Sequence, residues 1–218
     1  MSERFRPAAL VFDLDGTLVD SRRDIATALN RLRTELGLPP LSLEQVVGMV
    51  GEGAKVLLRR ALDDWAGEPT KEILDRYLSY YEAVCLDTTV LYPGVAEMLA
   101  ALSDRYRLAV LSNKGERLSV EILEGLDEAW RFSAILGGDS LPTRKPSPAG
   151  LNAIADRFDV QVGQLMLIGD SHIDCETARN AGCTFALIEW GFLGRPKEGI
   201  DADLIVSTPE ELVQKLVL

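Results

Sequence analysis

The chain is short of the residues that most often announce a chemistry. It has one histidine and three cysteines, Cys85, Cys175 and Cys183, with no Cys-x-x-Cys pair among them. So scattered and odd a set excludes a zinc framework or a disulfide scaffold, and reads as reduced thiols of a cytoplasmic protein. His172 reads as a polar loop residue and implies neither a base nor a ligand. Basic charge is scarce too: 23 Lys and Arg stand against 34 Asp and Glu, a net charge of −11. That balance argues against a nucleic-acid or anionic-membrane surface, which needs clustered cations. It leaves a phosphate substrate open, because a bound metal and one or two placed cations can invert a local field. Neither the opening Met1-Ser2-Glu3-Arg4-Phe5-Arg6-Pro7 nor any later stretch has the apolar run of a signal peptide or membrane span.

Apolar residues are plentiful, 47% of 218, enough for one large domain or a domain with a sizeable insertion. Residues 8–12 form a short apolar run of buried-strand character. After Ser21 the spacing turns helical: Ile25, Ala28, Leu29, Leu32 and Leu36 share a face until Gly37 and Pro39-Pro40 stop it. Ser42 and Gln45 have capping-box spacing for a second helix. Beyond Gly48-Met49-Val50-Gly51-Glu52-Gly53, a third helix is marked by Val56, Leu57, Ala61, Leu62 and Trp65. A fourth carries Ile73, Leu74, Tyr77, Leu78, Tyr81 and Val84. Trp65, Tyr80 and Tyr81 read as packing residues rather than ligand contacts. Nothing from 21 to 87 reads as a strand, so this stretch is expected to form a self-contained helical unit.

From Pro93-Gly94 onward, helical stretches alternate with apolar runs at 108–111, 134–136, 165–168, 185–188 and 204–206, ending in a helix from Pro209. Continuous apolar strands between helices predict a parallel sheet covered on both faces. The expected fold is α/β, a doubly wound parallel sheet with an inserted α-helical unit. Residues 1–20 and 88–218 would form the core and residues 21–87 the insertion, on hinges near 16–21 and 87–94.

The first strand ends in Asp13-Leu14-Asp15-Gly16-Thr17. Side chains alternate along an extended backbone, so Asp13 and Asp15 point the same way. Their place at a strand's carboxyl end is where open α/β sheets bind ligands. Two like charges so close need a cation between them or a proton on one. A divalent metal, or a nucleophile paired with a proton donor, satisfies that need; a solvated Asp-x-Asp turn is the bland alternative. Three further loops add polar groups: Ser112-Asn113-Lys114, Arg144-Lys145-Pro146-Ser147-Pro148, and Gly169-Asp170-Ser171-His172-Ile173-Asp174. Each alone could be an ordinary turn, a solvated lysine or a helix cap. Four at the same kind of position point to one assembled site.

These four segments, in this order, resemble the motifs of the haloacid dehalogenase superfamily of phosphohydrolases, over essentially the whole chain. The helical insertion is similar to the small α-helical cap of one subclass, and the core to its Rossmann-like domain. More narrowly, Val50-Gly51-Glu52-Gly53-Ala54, Leu91-Tyr92-Pro93-Gly94-Val95, Gly137-Gly138-Asp139 and Trp190-Gly191 resemble phosphoglycolate phosphatases. Ile173 departs from the asparagine that relatives often place before the last aspartate.

The resemblance implies that Asp13 attacks phosphorus, and that Asp15 protonates the leaving oxygen and then deprotonates the attacking water. It implies Mg²⁺ held by Asp13, the Asp15 backbone carbonyl and Asp170, with Asp174 one shell out. Lys145 and Ser112, with Asn113 and the loop of Leu14, Gly16 and Thr17, would receive the phosphoryl oxygens. Lys145 would also restrain the repulsion between Asp13 and Asp170. Gly51, Glu52 and Gly53, with Lys55 and Arg59, would face the leaving group and select it. The implied partner is a small phosphoester, 2-phosphoglycolate first, then hexose phosphates, amino-sugar phosphates and pyrophosphate; monomer and homodimer stay open. Alternatives are a phosphosugar mutase and a phosphate-binding regulator without turnover. A dehalogenase would leave Asp15 no proton to supply, and a receiver-like domain would not explain the insertion.

Overall fold

The computed structural model describes residues 7–192 and 199–217. Residues 1–6 of the opening segment considered above lie outside the described residues. Period-two burial sets the architecture. In β1 (Ala9–Phe12), Leu10 and Phe12 face one helical layer while Ala9 and Val11 face the other. The same double burial holds in β4 (Arg107–Leu111) and β6 (Leu165–Gly169), its two parallel neighbours. With β5 (Phe132–Leu136), β7 (Thr184–Ile188) and β8 (Leu204–Val206) they form one parallel sheet in the order β5-β4-β1-β6-β7-β8. One face packs on α5 (Val95–Ser103), α6 (Glu116–Gly125) and α9 (Pro209–Val217), the other on α7 (Ala149–Phe158) and α8 (His172–Ala181). Each fully buried large apolar side chain contributes roughly 1.5–3 kcal/mol. The sheet is therefore the rigid element from which the loops project. The expected fold class holds, a doubly wound parallel sheet with a helical insertion. No described helix is long and apolar enough to cross a membrane.

Four helices follow β1: α1 (Arg22–Glu35), α2 (Leu43–Val47), α3 (Ala54–Ala61) and α4 (Lys71–Glu82). The capping box at Ser42 and Gln45 is formed, and Thr70 caps α4. Buried Arg33 ties α1 to the end of α3, donating to the Pro39 carbonyl at 2.8 Å and to both Asp64 oxygens at 2.9 and 2.8 Å. Because α3 stops at Ala61, Trp65 lies in the turn beyond it. The stem of the insertion is a two-stranded antiparallel pair, β2 (Val19–Asp20) and β3 (Val90–Leu91), which the residue pattern does not reveal. Two residues per strand give no period to read. The buried Asp24 carboxylate clamps this return, accepting from the amides and hydroxyls of Thr88 and Thr89 at 2.6–3.1 Å.

Candidate active site

The carboxyl ends of β1, β4 and β6 bring together residues more than 150 positions apart in sequence. Asp13 leaves β1 with its N–H on the Ile168 carbonyl at 2.9 Å, so the sheet fixes its place. Lys145 is buried and puts its ammonium 2.7 Å from Asp13 Oδ1 and 2.6 Å from Asp174 Oδ1. Asp174, fully buried in the first turn of α8, accepts on Oδ2 from the Ser171 hydroxyl at 2.6 Å and amide at 3.2 Å. Asp170 Oδ2 accepts from the Phe192 amide at 3.2 Å. Gly16 has φ +87°, and a Cβ there would stand 2.5 Å from Asp170 Oδ2. Glycine is thus what lets the first loop lie against this carboxylate. Trp190 closes the other side, its indole N–H donating to the Thr17 carbonyl at 3.0 Å.

Asp13, Asp170 and Asp174 offer carboxylate oxygens that all lie within 4.8 Å of one another. Burial, reinforced by Asp174 and Asp15 against the pull of Lys145, pushes Asp13 up to about 6. Burial, then Asp174 and Asp13, pushes Asp170 well above the ordinary carboxylate range. Burial alone would depress Lys145, but Asp13 and Asp174 outweigh it and keep the ammonium charged. One fixed cation against three buried carboxylates leaves a local excess of negative charge. Oxygen-only donors of this kind suit a hard divalent cation such as Mg²⁺.

Asp15 lies on the other side of Asp13. One of its oxygens accepts from the Ser21 hydroxyl, and Oδ2 lies 2.9 Å from the Lys114 ammonium. Lys114 also donates to Tyr81 Oη at 2.7 Å, joining the core to α4. Asn113 makes a second link, donating to the Gly51 carbonyl at 3.0 Å and the Lys145 carbonyl at 3.1 Å. Gly53, at φ +85°, brings α3 so close that a Cβ would lie 2.9 Å from the Asn113 carbonyl. Between core and helices lies a cavity of about 270 Å³, with Asp13, Asp15 and Ser112 at its polar end and Leu57, Leu74 and Leu78 on its apolar wall.

Residues 10–188 match the family model described as haloacid dehalogenase-like hydrolase. The chain belongs to the haloacid dehalogenase-like hydrolases. A phosphoglycolate phosphatase of Nitrosospira multiformis is 38% identical over 95% of this chain and 96% of its own length. One from Cereibacter sphaeroides is 39% identical, over 93% and 94%. Among solved structures, a "predicted phosphoglycolate phosphatase" from Haemophilus somnus superposes with a TM-score of 0.89 at 32% identity, covering 98% of this chain and 99% of that one.

In this hydrolase several residues stand apart from where the sequence reading puts them. Lys145 pairs directly with Asp174 as well as with Asp13, because the capping box of α8 turns Asp174 toward the loop after β5, and its charge acts on Asp170 without an ion pair to it. In the helical unit, Gly51, Gly53 and Lys55 line the cavity. Glu52 instead turns to Arg60, and Arg59 is exposed, outside the lining. Arg59 sits one turn beyond Lys55, about 6 Å further along α3 and past the cavity's rim. Tyr81 packs as expected but also reaches the site through its hydroxyl. His172 opens α8 and is exposed. Leu14 and Thr17 are buried beside Asp13, with the Leu14 carbonyl capping the turn through the amides of Thr17, Leu18 and Val19. Sequence reasoning missed Ser21, Lys114 and Phe192 as partners of these carboxylates.

The raised carboxylates predict how metal and pH act together on stability. A carboxyl whose folded pKa lies above its unfolded value stabilises the fold below about pH 4 and loses that contribution as pH rises through the folded value, about 6 for Asp13. The metal-free site is therefore at its weakest at neutral pH, where a divalent cation displaces the fewest protons. Mg²⁺ is expected to raise the melting temperature more at pH 7.5 than at pH 5. Equal shifts at the two pH values, in scanning calorimetry with Mg²⁺ against EDTA, would contradict this.

Proposed function

We propose that the chain is a Mg²⁺-dependent phosphatase that acts on a small carboxylate-bearing phosphomonoester, 2-phosphoglycolate first, through an aspartyl-phosphate on Asp13. One observation carries the reading: Asp13 lies buried at the cavity's polar end, between Lys145 and Asp15. A carboxylate that both pairs with a buried lysine and faces a cavity beside a second carboxyl can act as a nucleophile, dividing hydrolysis into two easier displacements.

Asp13 forms the new O–P bond as the bond to the leaving oxygen breaks, and Asp15 gives that oxygen a proton. Water then attacks the phosphoaspartate, Asp15 takes its proton back, and phosphate departs with the carboxylate of Asp13 restored. Ser21 and Lys114 hold Asp15 in place through both oxygens. Lys145, Ser112 and the amides near Leu14 and Asn113 receive charge from the phosphoryl oxygens. Asp13 and Asp170, with the Asp15 backbone carbonyl, would hold Mg²⁺ and Asp174 would sit one shell out. The bound ion would neutralise the dianion and orient it. Residues 21–87 act as a cap on the β2–β3 stem, whose closure excludes water.

The cavity limits the substrate. At about 270 Å³ it falls at the small end of ligand sites. Its wall of Ile25, Leu57, Leu74, Leu78 and Leu118 is apolar, and three cations, Lys55, Lys114 and Arg144, line the rest, so an anionic leaving group finds more partners there than a neutral one. A short chain carrying a second anion fits better than a hexose. The three cysteines are free, in keeping with a cytoplasmic protein, and the acidic charge balance disfavours nucleic-acid or membrane partners.

Phosphate release from a panel of about fifty phosphoesters, with Mg²⁺ and with EDTA, tests the reading. Expected is Mg²⁺-dependent release, fastest from 2-phosphoglycolate. Phosphate moved within a sugar without net release would indicate a mutase. Fastest release from pyrophosphate would replace the substrate class, and binding without release would indicate a regulator.

A further inference from the structure

We propose that Lys114 is the receptor for the substrate's second anion, a carboxylate carried one carbon from the phosphoester oxygen, and that Tyr81 positions it. This rests on the phosphatase reading and names what in the protein would choose the leaving group.

The Lys114 side chain is 7% exposed, yet it lines the cavity. Its ammonium lies 2.9 Å from Asp15 Oδ2, donates to Tyr81 Oη at 2.7 Å, and stands 4.3 Å from the centre of the Tyr81 ring. An ammonium has three N–H donors. Tyr81 takes one, Asp15 pairs with the ammonium at ion-pair distance, and no further protein acceptor stands against it among the described residues. A buried cationic donor left unmatched is costly, and an anion in the cavity completes it.

The reach agrees. Asp15 acts on the leaving oxygen and so comes within about 2.7 Å of it. Lys114 lies one hydrogen bond beyond, placing its ammonium about 4–5 Å from that oxygen. A carboxylate one carbon away carries its oxygens about 3 Å out, within hydrogen-bond distance of the ammonium. The other cations near the cavity are placed differently. Lys145 is not among the residues that line the cavity, Lys55 is exposed, and the Arg144 guanidinium packs against Gly53.

Tyr81 comes from α4, so Lys114 is fixed only when the helices sit over the core. Burial first, then the nearby Asp15, holds the Tyr81 phenol protonated. Its ring stacks on Tyr77 at 6.2 Å between centroids, which makes it a rigid stop for the lysine. Tyr81 acts through Lys114 and is a positioning residue.

The test compares kcat/KM for 2-phosphoglycolate with that for ethyl phosphate, which shares the two-carbon skeleton but lacks the carboxylate. In Lys114→Met the ratio is expected to fall roughly 10- to 100-fold, mostly through KM, with partial recovery in Lys114→Arg. Tyr81→Phe keeps the ring and is expected to lower the ratio by roughly three- to tenfold. If Lys114→Met does not fold, Tyr81→Phe carries the test alone. Calorimetric binding of 2-phosphoglycolate to Asp13→Asn protein should weaken when Lys114→Met is added. A proportional loss on both esters would overturn the proposal, assigning Lys114 to Asp15 alone. So would a ratio that responds to Arg144→Met instead. Equal wild-type rates on the two esters would overturn it while leaving the phosphatase reading intact; release from neither would overturn both.

Discussion

Asp13→Asn is expected to abolish phosphate release, by more than roughly the 10²–10³-fold that follows loss of one oxyanion donor, and to leave the fold intact. The amide oxygen keeps the carboxylate's shape and can still accept from Lys145, so the 2.7 Å contact survives without its charge. What is lost is the negative charge that makes the oxygen a nucleophile toward phosphorus, and no neighbour can replace it. Asp15 is held by Ser21 and Lys114, and Asp174 is locked by Lys145 and Ser171. Metal-free stability should hold or rise, because the substitution removes one of three acidic groups whose oxygens lie within 4.8 Å of one another. Phosphate release and calorimetric melting, on protein shown by mass to retain asparagine, measure the two halves. Hydrolysis persisting near the wild-type rate would remove the nucleophile from the mechanism.

The loops that converge were legible because their chemistry is local. Asp13 and Asp15 follow from period-two geometry at the end of one apolar run. Ser112 and Asp170 follow from the polar residues just past two others. Each inference needed only a strand and the rule that parallel sheets bind at their carboxyl edge. Pairing between loops was not legible. Lys145 stands 29 residues from Asp174 and further still from Asp13, and nothing in its neighbours says which carboxylates it meets. Lys114 reads only as one polar residue of the loop after β4, and its contact with Tyr81, 33 residues earlier, is a pairing the sequence does not announce.

The helical unit shows the same division. Helical spacing places Lys55 and Arg59 on one face of α3, since residues four apart are neighbours. Face is only an angular coordinate. How far along α3 the cavity extends depends on where the stem sets the unit down, and the two-residue strands of that stem carry no periodic signal. Burial of Asp24 against Thr88 and Thr89, which pins the return, also links segments 64 residues apart.

Lys145→Met is expected to do the most damage after loss of the nucleophile, and to harm stability as well as turnover. The substitution keeps most of the aliphatic volume, so the change is one of charge and donors. Lys145 holds Asp13 and Asp174 at 2.7 and 2.6 Å, and no other cation reaches both among the described residues. Breaking a buried ion pair by removing one partner costs about 3–5 kcal/mol, because the remaining charge is left uncompensated. Here Asp13, Asp170 and Asp174 would face one another alone, and their remedy is to bind protons. The fall in melting temperature of metal-free protein should therefore be larger at pH 7.5 than at pH 5, where Asp13 already carries a proton much of the time. Adding Mg²⁺ should restore stability further than activity. A divalent ion can supply positive charge to the carboxylates, but the ammonium's donors toward the phosphoryl oxygens would still be missing, and turnover should stay roughly 10²–10³-fold down. Full recovery of turnover with Mg²⁺ would reduce Lys145 to a counter-ion, and an unchanged melting temperature without metal would mean that the three carboxylates do not repel as their spacing requires.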